Sequence, residues 1–277
     1  MPYPGLPADS HVHSQWSWDA LAGSMEATCE RAVRLGLPAL AFTEHADFTP
    51  WVLGPGERLP DAWLPLVREG VLTPPELDLD GYRACLARCR ERFPRLTILS
   101  GVELSEPHHH AGRSSRLLRS GRFERVLASV HSLPVGGGFT EVSALYGERP
   151  ASAVVRDYLA ETLRLIEGFD DFEVLAHLDY PARSWPGQAF AAAAFEEEFR
   201  EVLRALARAG KALEVNTRVP LGPGVLRWWR EEGGRAVTFA SDAHEPERLA
   251  HGFGVAAAMA ESAGFRPGAH AWDFWLA

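Results

Sequence analysis

The chain of 277 residues contains 46% hydrophobic and 23% charged residues, which is the composition of a globular protein with one large core. Its formal net charge of −9 disfavours binding to the phosphate backbone of nucleic acids or to anionic membranes. No apolar run approaches the ~20 residues of a membrane span, and the amino-terminal residues lack a signal-peptide pattern, so we expect a cytoplasmic protein.

Seven short apolar segments alternate with amphipathic helical segments, and no shift in composition marks a domain boundary. The segments are residues 9–13, 39–42, 96–99, 126–130, 174–176, 212–215 and 236–240. Their apolarity is continuous rather than alternating, which is typical of parallel strands covered by helices. The proline-rich stretch 49–75 has no sustained period and predicts a long ordered loop over one end of the sheet. We therefore predict a single α/β domain over residues 1–277.

Histidines and carboxylates follow these segments at the same place in successive units. His11 and His13 lie two residues apart in the first segment, so a strand directs both side chains to one face. The residues that end five further segments are His45, Glu103, His131, His177 and Asp242 with His244. In a closed parallel barrel the carboxyl ends of the strands meet on one ring, whereas an open sheet would spread these side chains along a line. The pattern therefore predicts a (β/α)7 barrel with its active site at the carboxyl ends of the strands.

The types of these side chains indicate which metal ions they suit. Imidazoles with a few carboxylates favour zinc, manganese or iron, whereas magnesium and calcium prefer shells made almost entirely of oxygen. The ligands exceed what one ion uses, and a carboxylate such as Glu103 can bridge two ions, so we predict two to three divalent ions. Closely spaced ions lower the pKa of a water molecule and neutralise the charge of a phosphoryl group. The predicted partner is a small-molecule phosphate monoester.

An ordered set of motifs carries a resemblance to a known family. The motifs are DSHVHS (9–14), FTEHAD (42–47), SGVE (100–103), SVHSL (129–133), AHLDYPAR (176–183), LEVNTR (213–218) and SDAHEPERLAHGF (241–253). With them the chain resembles the polymerase-and-histidinol-phosphatase (PHP) family, and within it the monofunctional histidinol-phosphatase branch. The resemblance implies a distorted seven-stranded TIM-like barrel with a trinuclear metal site. It also implies hydrolysis of L-histidinol phosphate to L-histidinol and phosphate, in histidine biosynthesis, by attack of a metal-bridging hydroxide.

The resemblance also distributes the ligands among three ions. The first ion would be bound by His11, His13, Glu103 and Asp242, the second by Glu103, His131 and His177, and the third by Asp19, His45 and His244. Among these ligands the expected catalytic residues are Glu103, Asp242 and His244.

The residues expected to contact the substrate or its phosphate are Arg183, Arg218, Asn216, Glu44 and Glu106. By resemblance the basic residue at position 183 faces the phosphate, where a guanidinium makes bidentate bonds. The cationic amine and imidazole of the substrate call for an acidic and aromatic environment, for which Asp47, Trp16 and Trp18 are further candidates. The sequence departs from the family pattern at two positions that bear on substrate contacts. Glu44 stands where many relatives have Asp, and the stretch after Glu103 contains three consecutive histidines. We predict that residues 108–110 form a solvated loop.

Three alternatives remain beside this prediction. Another PHP activity, a nucleotide phosphatase or a 3′–5′ exonuclease, would use the same ions, although the acidic charge disfavours a polynucleotide substrate. An amidohydrolase-type barrel also opens with His-X-His, but Lys211, its candidate carbamylated lysine, precedes its strand and would lie at the opposite mouth of the barrel. A non-catalytic metal-binding module is the third, and the intact set of ligand positions argues against it.

Overall fold

The computed structural model describes residues 5–54 and 56–277. Its strands are β1 (Asp9–Val12), β2 (Ala39–Asp47), β3 (Trp51–Val52), β4 (Val67–Arg68), β5 (Val71–Leu72), β6 (Thr97–Ser105), β7 (Arg125–Ser129), β8 (Ser132–Val135), β9 (Gly138–Glu141), β10 (Val174–Leu175), β11 (Ala212–Asn216), β12 (Ala236–Ala240) and β13 (Trp275–Leu276). Its helices are α1 (Met25–Leu35), α2 (Leu79–Arg92), α3 (Ala111–Gly121), α4 (Val142–Leu145), α5 (Ala151–Gly168), α6 (Glu196–Arg208), α7 (Pro223–Glu231) and α8 (Phe253–Ser262).

The main sheet curls into a barrel. Its strand order is β1-β2-β6-β7-β10-β11-β12-β13, and within the described residues the first seven strands are parallel while β13 runs antiparallel to β12. Backbone bonds from Asp242 N to His11 O (3.0 Å) and from His13 N to Ala243 O (2.9 Å) join the last parallel strand to the first. The predicted distorted (β/α)7 TIM-like barrel is confirmed, and each predicted strand lies in it.

Burial explains why the strands are continuously apolar and why each amphipathic helix has one apolar face. Every residue of β2 is buried, since the strand faces the barrel interior on one side and helices on the other. In α6 the residues Phe199, Val202 and Leu206 are buried on one face. None of the helices in the described part of the chain combines the length and apolarity that crossing a bilayer requires.

The proline-rich stretch 49–75 contains more regular structure than we predicted. It forms a small antiparallel sheet in the order β3-β5-β4 and a 3-10 turn over Asp61–Leu66. The short strands could not be read from the sequence because each spans two residues, too few to establish a period. Trp51 and Trp63 of this stretch line the cavity described below, so the segment covers the end of the barrel that carries the predicted site.

Candidate metal centre

The nine predicted metal ligands come together at the carboxyl ends of the parallel strands. They are His11, His13, Asp19, His45, Glu103, His131, His177, Asp242 and His244, and each belongs to a strand of the barrel or to the segment directly after one. His177 (φ 21°) and Asp242 (φ 52°) have left-handed backbone conformations, which are uncommon for side chains other than glycine. Such strain at strand ends is typical of functional sites, where the surrounding fold enforces it.

The four side chains assigned to the first ion converge on one point. His11 Nε2 lies 2.9 Å from His13 Nε2 and 3.1 Å from Glu103 Oε2. His13 Nε2 lies 3.4 Å from both Glu103 Oε2 and Asp242 Oδ1. This spacing of donor atoms is that of ligands around one ion, whose bonds to nitrogen and oxygen measure ~2.0–2.2 Å.

The other two predicted groups are also assembled. His131 Nε2 lies 3.2 Å from His177 Nε2, and these two atoms lie 3.3 and 2.6 Å from Glu103 Oε1. Glu103 therefore directs one carboxylate oxygen to each of two groups, as a bridging ligand does. In the third group Asp19 Oδ2 lies 3.3 Å from His45 Nε2 and 3.1 Å from His244 Nε2.

In His11, His13 and His244 the Nδ1 atom points away from the cluster and donates a hydrogen bond. The Nε2 atom, which points into the cluster, can therefore offer its lone pair to a cation. His11 Nδ1 donates to Glu214 Oε2 (2.8 Å) and His244 Nδ1 to the carbonyl of Asp242 (3.0 Å), since both oxygens can only accept. His13 Nδ1 donates to Ser17 Oγ (2.8 Å), because the Ser17 hydroxyl proton is committed to Glu44 Oε2 (2.6 Å). The Nε2 atoms of His11 and His13 lie 2.9 Å apart, and a bound divalent cation would replace any proton there and accept both lone pairs. The donor set fits divalent metal ions.

The charges of the site are balanced within it. Burial opposes ionisation of Glu103, but the surrounding imidazoles, with His11 and His45 foremost, outweigh it and hold the pKa of Glu103 well below its usual range. Burial likewise opposes ionisation of Asp242, whose pKa the Arg183 guanidinium holds well below its usual range. Burial lowers the pKa of His177 to about 4, so its imidazole is neutral and able to act as a ligand at neutral pH.

Three of the five predicted substrate contacts lie behind the metal ligands rather than in the cavity of the described structure. Glu44 accepts bonds from Ser14 N (3.0 Å), Ser14 Oγ (2.5 Å) and Ser17 Oγ. Glu106 accepts from the backbone nitrogens of His131 (2.6 Å) and Ser132 (2.9 Å).

Asn216, the third of them, donates from Nδ2 to Glu214 Oε1 at 2.9 Å and accepts from Arg218 N. Glu44, Glu106 and Asn216 are buried, and the bonds that they make support the ligand-bearing loops, so a contact of these three residues with the substrate stays a prediction.

The two predicted arginines differ in their surroundings. Arg183 has a side chain only 12% exposed, and its Nη1 lies 2.6 Å from Asp242 Oδ2. Its Nη2 is buried and has no hydrogen-bond partner among the described residues. Arg218 lies 3.7 Å from the same carboxylate with a side chain 53% exposed. Both line the cavity, but Arg183 alone combines burial with a free donor.

A cavity of about 480 Å³ opens onto this cluster. Asp19, His45, His131, Asp242 and His244 are the metal-ligand residues that line it. Its other lining residues include three indoles, with the Trp18 ring 4.8 Å from Trp63 and 5.8 Å from Trp51, and the carboxylates Glu57 and Glu141.

Two of the aromatic and acidic candidates for this environment, Trp18 and Asp47, line the cavity, and Trp18 Nε1 donates to Asp47 Oδ2 at 2.8 Å. Trp16 instead packs against helix α2 at Gly81, where an added Cβ would lie 2.3 Å from its ring, so this candidate is outside the cavity.

Glu214 is the main site residue that the sequence prediction omitted. It lies in β11, and besides its bond to His11 it accepts from His177 N at 2.9 Å, so it supports ligands of two groups. The signal was present in the sequence, since a carboxylate within an otherwise apolar buried strand must find a partner. Glu57 and Glu141, the last residue of β9, were also missed, because the sequence around them carries no pattern that points to the cavity.

The three consecutive histidines lie in a turn, as predicted, but only His109 of the three is exposed to solvent. The side chain of His108 is only 7% exposed and its Nε2 lies 2.6 Å from Glu161 Oε1 in helix α5. His109 Nε2 lies at the same distance from the same oxygen, and His110 Nε2 lies 2.9 Å from Thr49 Oγ1. The partners are remote in sequence, which is why composition alone suggested solvent exposure.

Residues 9–218 match the model of the PHP domain family, and the chain belongs to this family. Among its relatives, the histidinol-phosphatase of Lactococcus lactis is 28% identical over 270 residues, which cover 93% of this chain and 91% of that protein. The probable histidinol-phosphatase of Thermotoga maritima is 28% identical over 255 residues, covering 88% and 87% of the two chains.

Two solved structures, of a histidinol phosphate phosphatase and of a putative one, have the same fold as this chain. The histidinol phosphate phosphatase of Lactococcus lactis, solved in complex with zinc, L-histidinol and phosphate, superimposes with a TM-score of 0.79 at 25% identity and covers 97% of this chain and 98% of its own. A putative histidinol phosphatase of Listeria monocytogenes has the same fold, with a TM-score of 0.72 at 16% identity and coverage of 90% and 99%. The predicted family and the predicted branch within it are confirmed.

Proposed function

We propose that the protein is a metal-dependent phosphomonoesterase that hydrolyses L-histidinol phosphate to L-histidinol and phosphate. One observation carries the proposal: a single cavity opens onto the metal-ligand cluster and is lined by a buried guanidinium with a free donor and by a set of indoles and carboxylates. These are the groups needed for a phosphate at one end of the substrate and a cationic aromatic amine at the other. The similarity to the Lactococcus lactis enzyme, whose structure contains L-histidinol and phosphate, supports the same substrate.

The ligand groups support a centre of three ions, for which zinc, manganese and iron suit the donor atoms. His11, His13, Glu103 and Asp242 would hold one ion, His131 and His177 with Glu103 a second, and Asp19, His45 and His244 a third. When bound, such ions supply an acidified water and neutralise charge on the phosphate oxygens. We assign the catalytic roles to Glu103, Asp242 and His244 because they belong to these groups and the last two line the cavity.

Arg183 would bind the phosphate. Asp242 fixes Nη1, so the planar guanidinium is held with Nη2 free to donate to a phosphate oxygen. The same ion pair orients Asp242, so one contact positions both a metal ligand and a phosphate-binding group. Arg218, more exposed and more distant, would add positive charge at the cavity mouth.

The amine and imidazole of the substrate would be bound by the acidic and aromatic residues of the cavity. Glu57 is a carboxylate available for an ammonium ion, since among the described residues it accepts from Gly54 N alone, and Trp18 and Trp63 present ring faces on which an imidazole or a cation can stack. Asp47 is less available because it already accepts bonds from Trp18 and from Ser105. Glu141 is less available because it accepts from Tyr180 Oη and from Ser143.

Turnover of L-histidinol phosphate, compared with a panel of nucleotides, sugar phosphates and a neutral aryl phosphate, tests this proposal. We expect kcat/KM for L-histidinol phosphate to exceed that for every phosphate that lacks the amine. Equal turnover of the neutral aryl phosphate would show that the protein is an unspecific phosphatase. Preference for a nucleotide would show that it has a different PHP activity.

A further inference from the structure

A second group of metal-ligating side chains lies outside the centre described above. It consists of His108 and His109, which precede helix α3, and Glu161, which lies within helix α5. None of the three belongs to the nine predicted ligands, and none lines the catalytic cavity among the described residues.

The donor atoms of this group all lie within 4.8 Å of one another, so the three side chains can converge on one ion. His108 Nε2 and His109 Nε2 each lie 2.6 Å from Glu161 Oε1, and the two rings are tilted against each other with centroids 4.1 Å apart. The other oxygen of Glu161, Oε2, accepts from Arg164 Nε at 2.8 Å. Glu161 is therefore held by Arg164 on one side and presents a single oxygen to the two imidazoles.

The surroundings both hold the group and leave it open. Glu161 is fully buried. His108 packs closely on Gly168 at the end of helix α5, since a Cβ added to Gly168 would lie 3.2 Å from the Cβ of His108. His109, by contrast, is 33% exposed and borders Phe139 at a centroid distance of 5.0 Å. Solvent can reach the group from the His109 side, which leaves room for water to complete a coordination shell.

We propose that His108, His109 and Glu161 form a second metal site, separate from the catalytic centre, for a borderline divalent ion such as zinc. Two imidazoles and one carboxylate oxygen form a common donor set for zinc, with water as the fourth ligand. Burial opposes ionisation of Glu161, but the bonds from His108, Arg164 and His109 outweigh it and lower the pKa of Glu161 to about 2, so the carboxylate is charged at neutral pH. An ion here links the loop after β6 to helix α5, and we expect it to stabilise the fold.

Equilibrium dialysis of the untagged, metal-loaded enzyme against micromolar free zinc, followed by elemental analysis, tests the proposal. The wild type should retain one ion per chain more than His109→Ala, while both hydrolyse substrate at the same rate. The matched control is His110→Ala, which alters the next histidine of the same run, bonded to Thr49 instead of Glu161, and should retain the full wild-type count. His109→Gln, which preserves more of the side-chain volume, should behave as His109→Ala.

Thermal unfolding provides a second measurement. With the catalytic centre loaded in every sample, zinc at ~100-fold above the dissociation constant of the second site should raise the Tm of the wild type by about 5 °C, and the two His109 variants should show no such rise. Equal ion counts in wild type and both His109 variants would overturn the proposal. Loss of the same ion from His110→Ala would overturn it too, because the ion would then not depend on this group.

Discussion

Replacement of Arg183 separates phosphate binding from metal binding. The nitrogens of this guanidinium have different surroundings: Nη1 lies 2.6 Å from Asp242 Oδ2 and Nε lies 3.4 Å from Asp179 Oδ2, whereas Nη2 is buried without a partner among the described residues. A charge-assisted hydrogen bond in such a site contributes about 1.5–3 kcal/mol. For Arg183→Ala, which removes the positive charge as well, we expect a loss of about 2–4 kcal/mol of transition-state stabilisation, or about 30- to 1,000-fold in kcat/KM.

Arg183→Lys refines this prediction, because lysine keeps the positive charge beside Asp242 but lacks the second planar donor. We expect a loss of about 2 kcal/mol, or roughly 30-fold in kcat/KM for L-histidinol phosphate, at the lower end of the range for Arg183→Ala. Arg218→Ala is the control, since its side chain is 53% exposed and should cost less than about tenfold.

The assay combines kcat/KM for L-histidinol phosphate with the metal content of each variant. Our reasoning requires that both Arg183 variants keep the wild-type metal content. Arg183→Ala with wild-type kcat/KM would refute the phosphate contact. A parallel loss of ions and activity would show that Arg183 acts by holding Asp242 in place.

Four further predictions concern the metal centre and the substrate. Glu103→Gln should be the most damaging ligand change, with loss of more than one ion per chain by elemental analysis and of nearly all activity, because Glu103 contacts two groups. Glu44→Gln should weaken metal binding by about 10- to 100-fold in a titration, because Glu44 orients Ser17 and through it His13. Glu57→Gln should raise KM for L-histidinol phosphate and leave KM for a neutral aryl phosphate unchanged. Chelation should abolish activity and lower Tm, and added divalent ions should restore both; an unchanged Tm would show that the ions do not stabilise the fold.

The strands and the convergence of the candidate ligands could be predicted from the sequence because both follow from strong local rules. Buried parallel strands are continuously apolar, and a His or carboxylate directly after such a strand reaches the ring at the carboxyl end of the barrel. His131 and His177 were predicted in this way without knowledge of each other, and the structure places their Nε2 atoms 3.2 Å apart.

The roles of side chains in the loops could not be predicted in this way. Whether Glu106 faces the cavity or the backbone of the next loop depends on the path of the chain after β6. The hydrophobic periodicity of the sequence gives no information on that path. Glu161 lies 53 residues from His108, and nothing local marks them as partners. Polar residues of a loop look solvated in the sequence until the fold supplies a buried partner.

The closure of the barrel has a consequence for the order in which the enzyme matures. The seam between β1 and β12 is joined by two backbone hydrogen bonds among the described residues, whereas β2 and β6 pair over nine residues. Both sides of this seam carry ligands, His11 and His13 on one and Asp242 on the other. In the proposed assignment, the first and third ion sites include Asp242 and His244, so a nascent chain could complete them only after its last parallel strand has been synthesised and docked. Ions bound at these two sites would then stabilise the seam, and a chain stripped of its ions should exchange its amide protons fastest there.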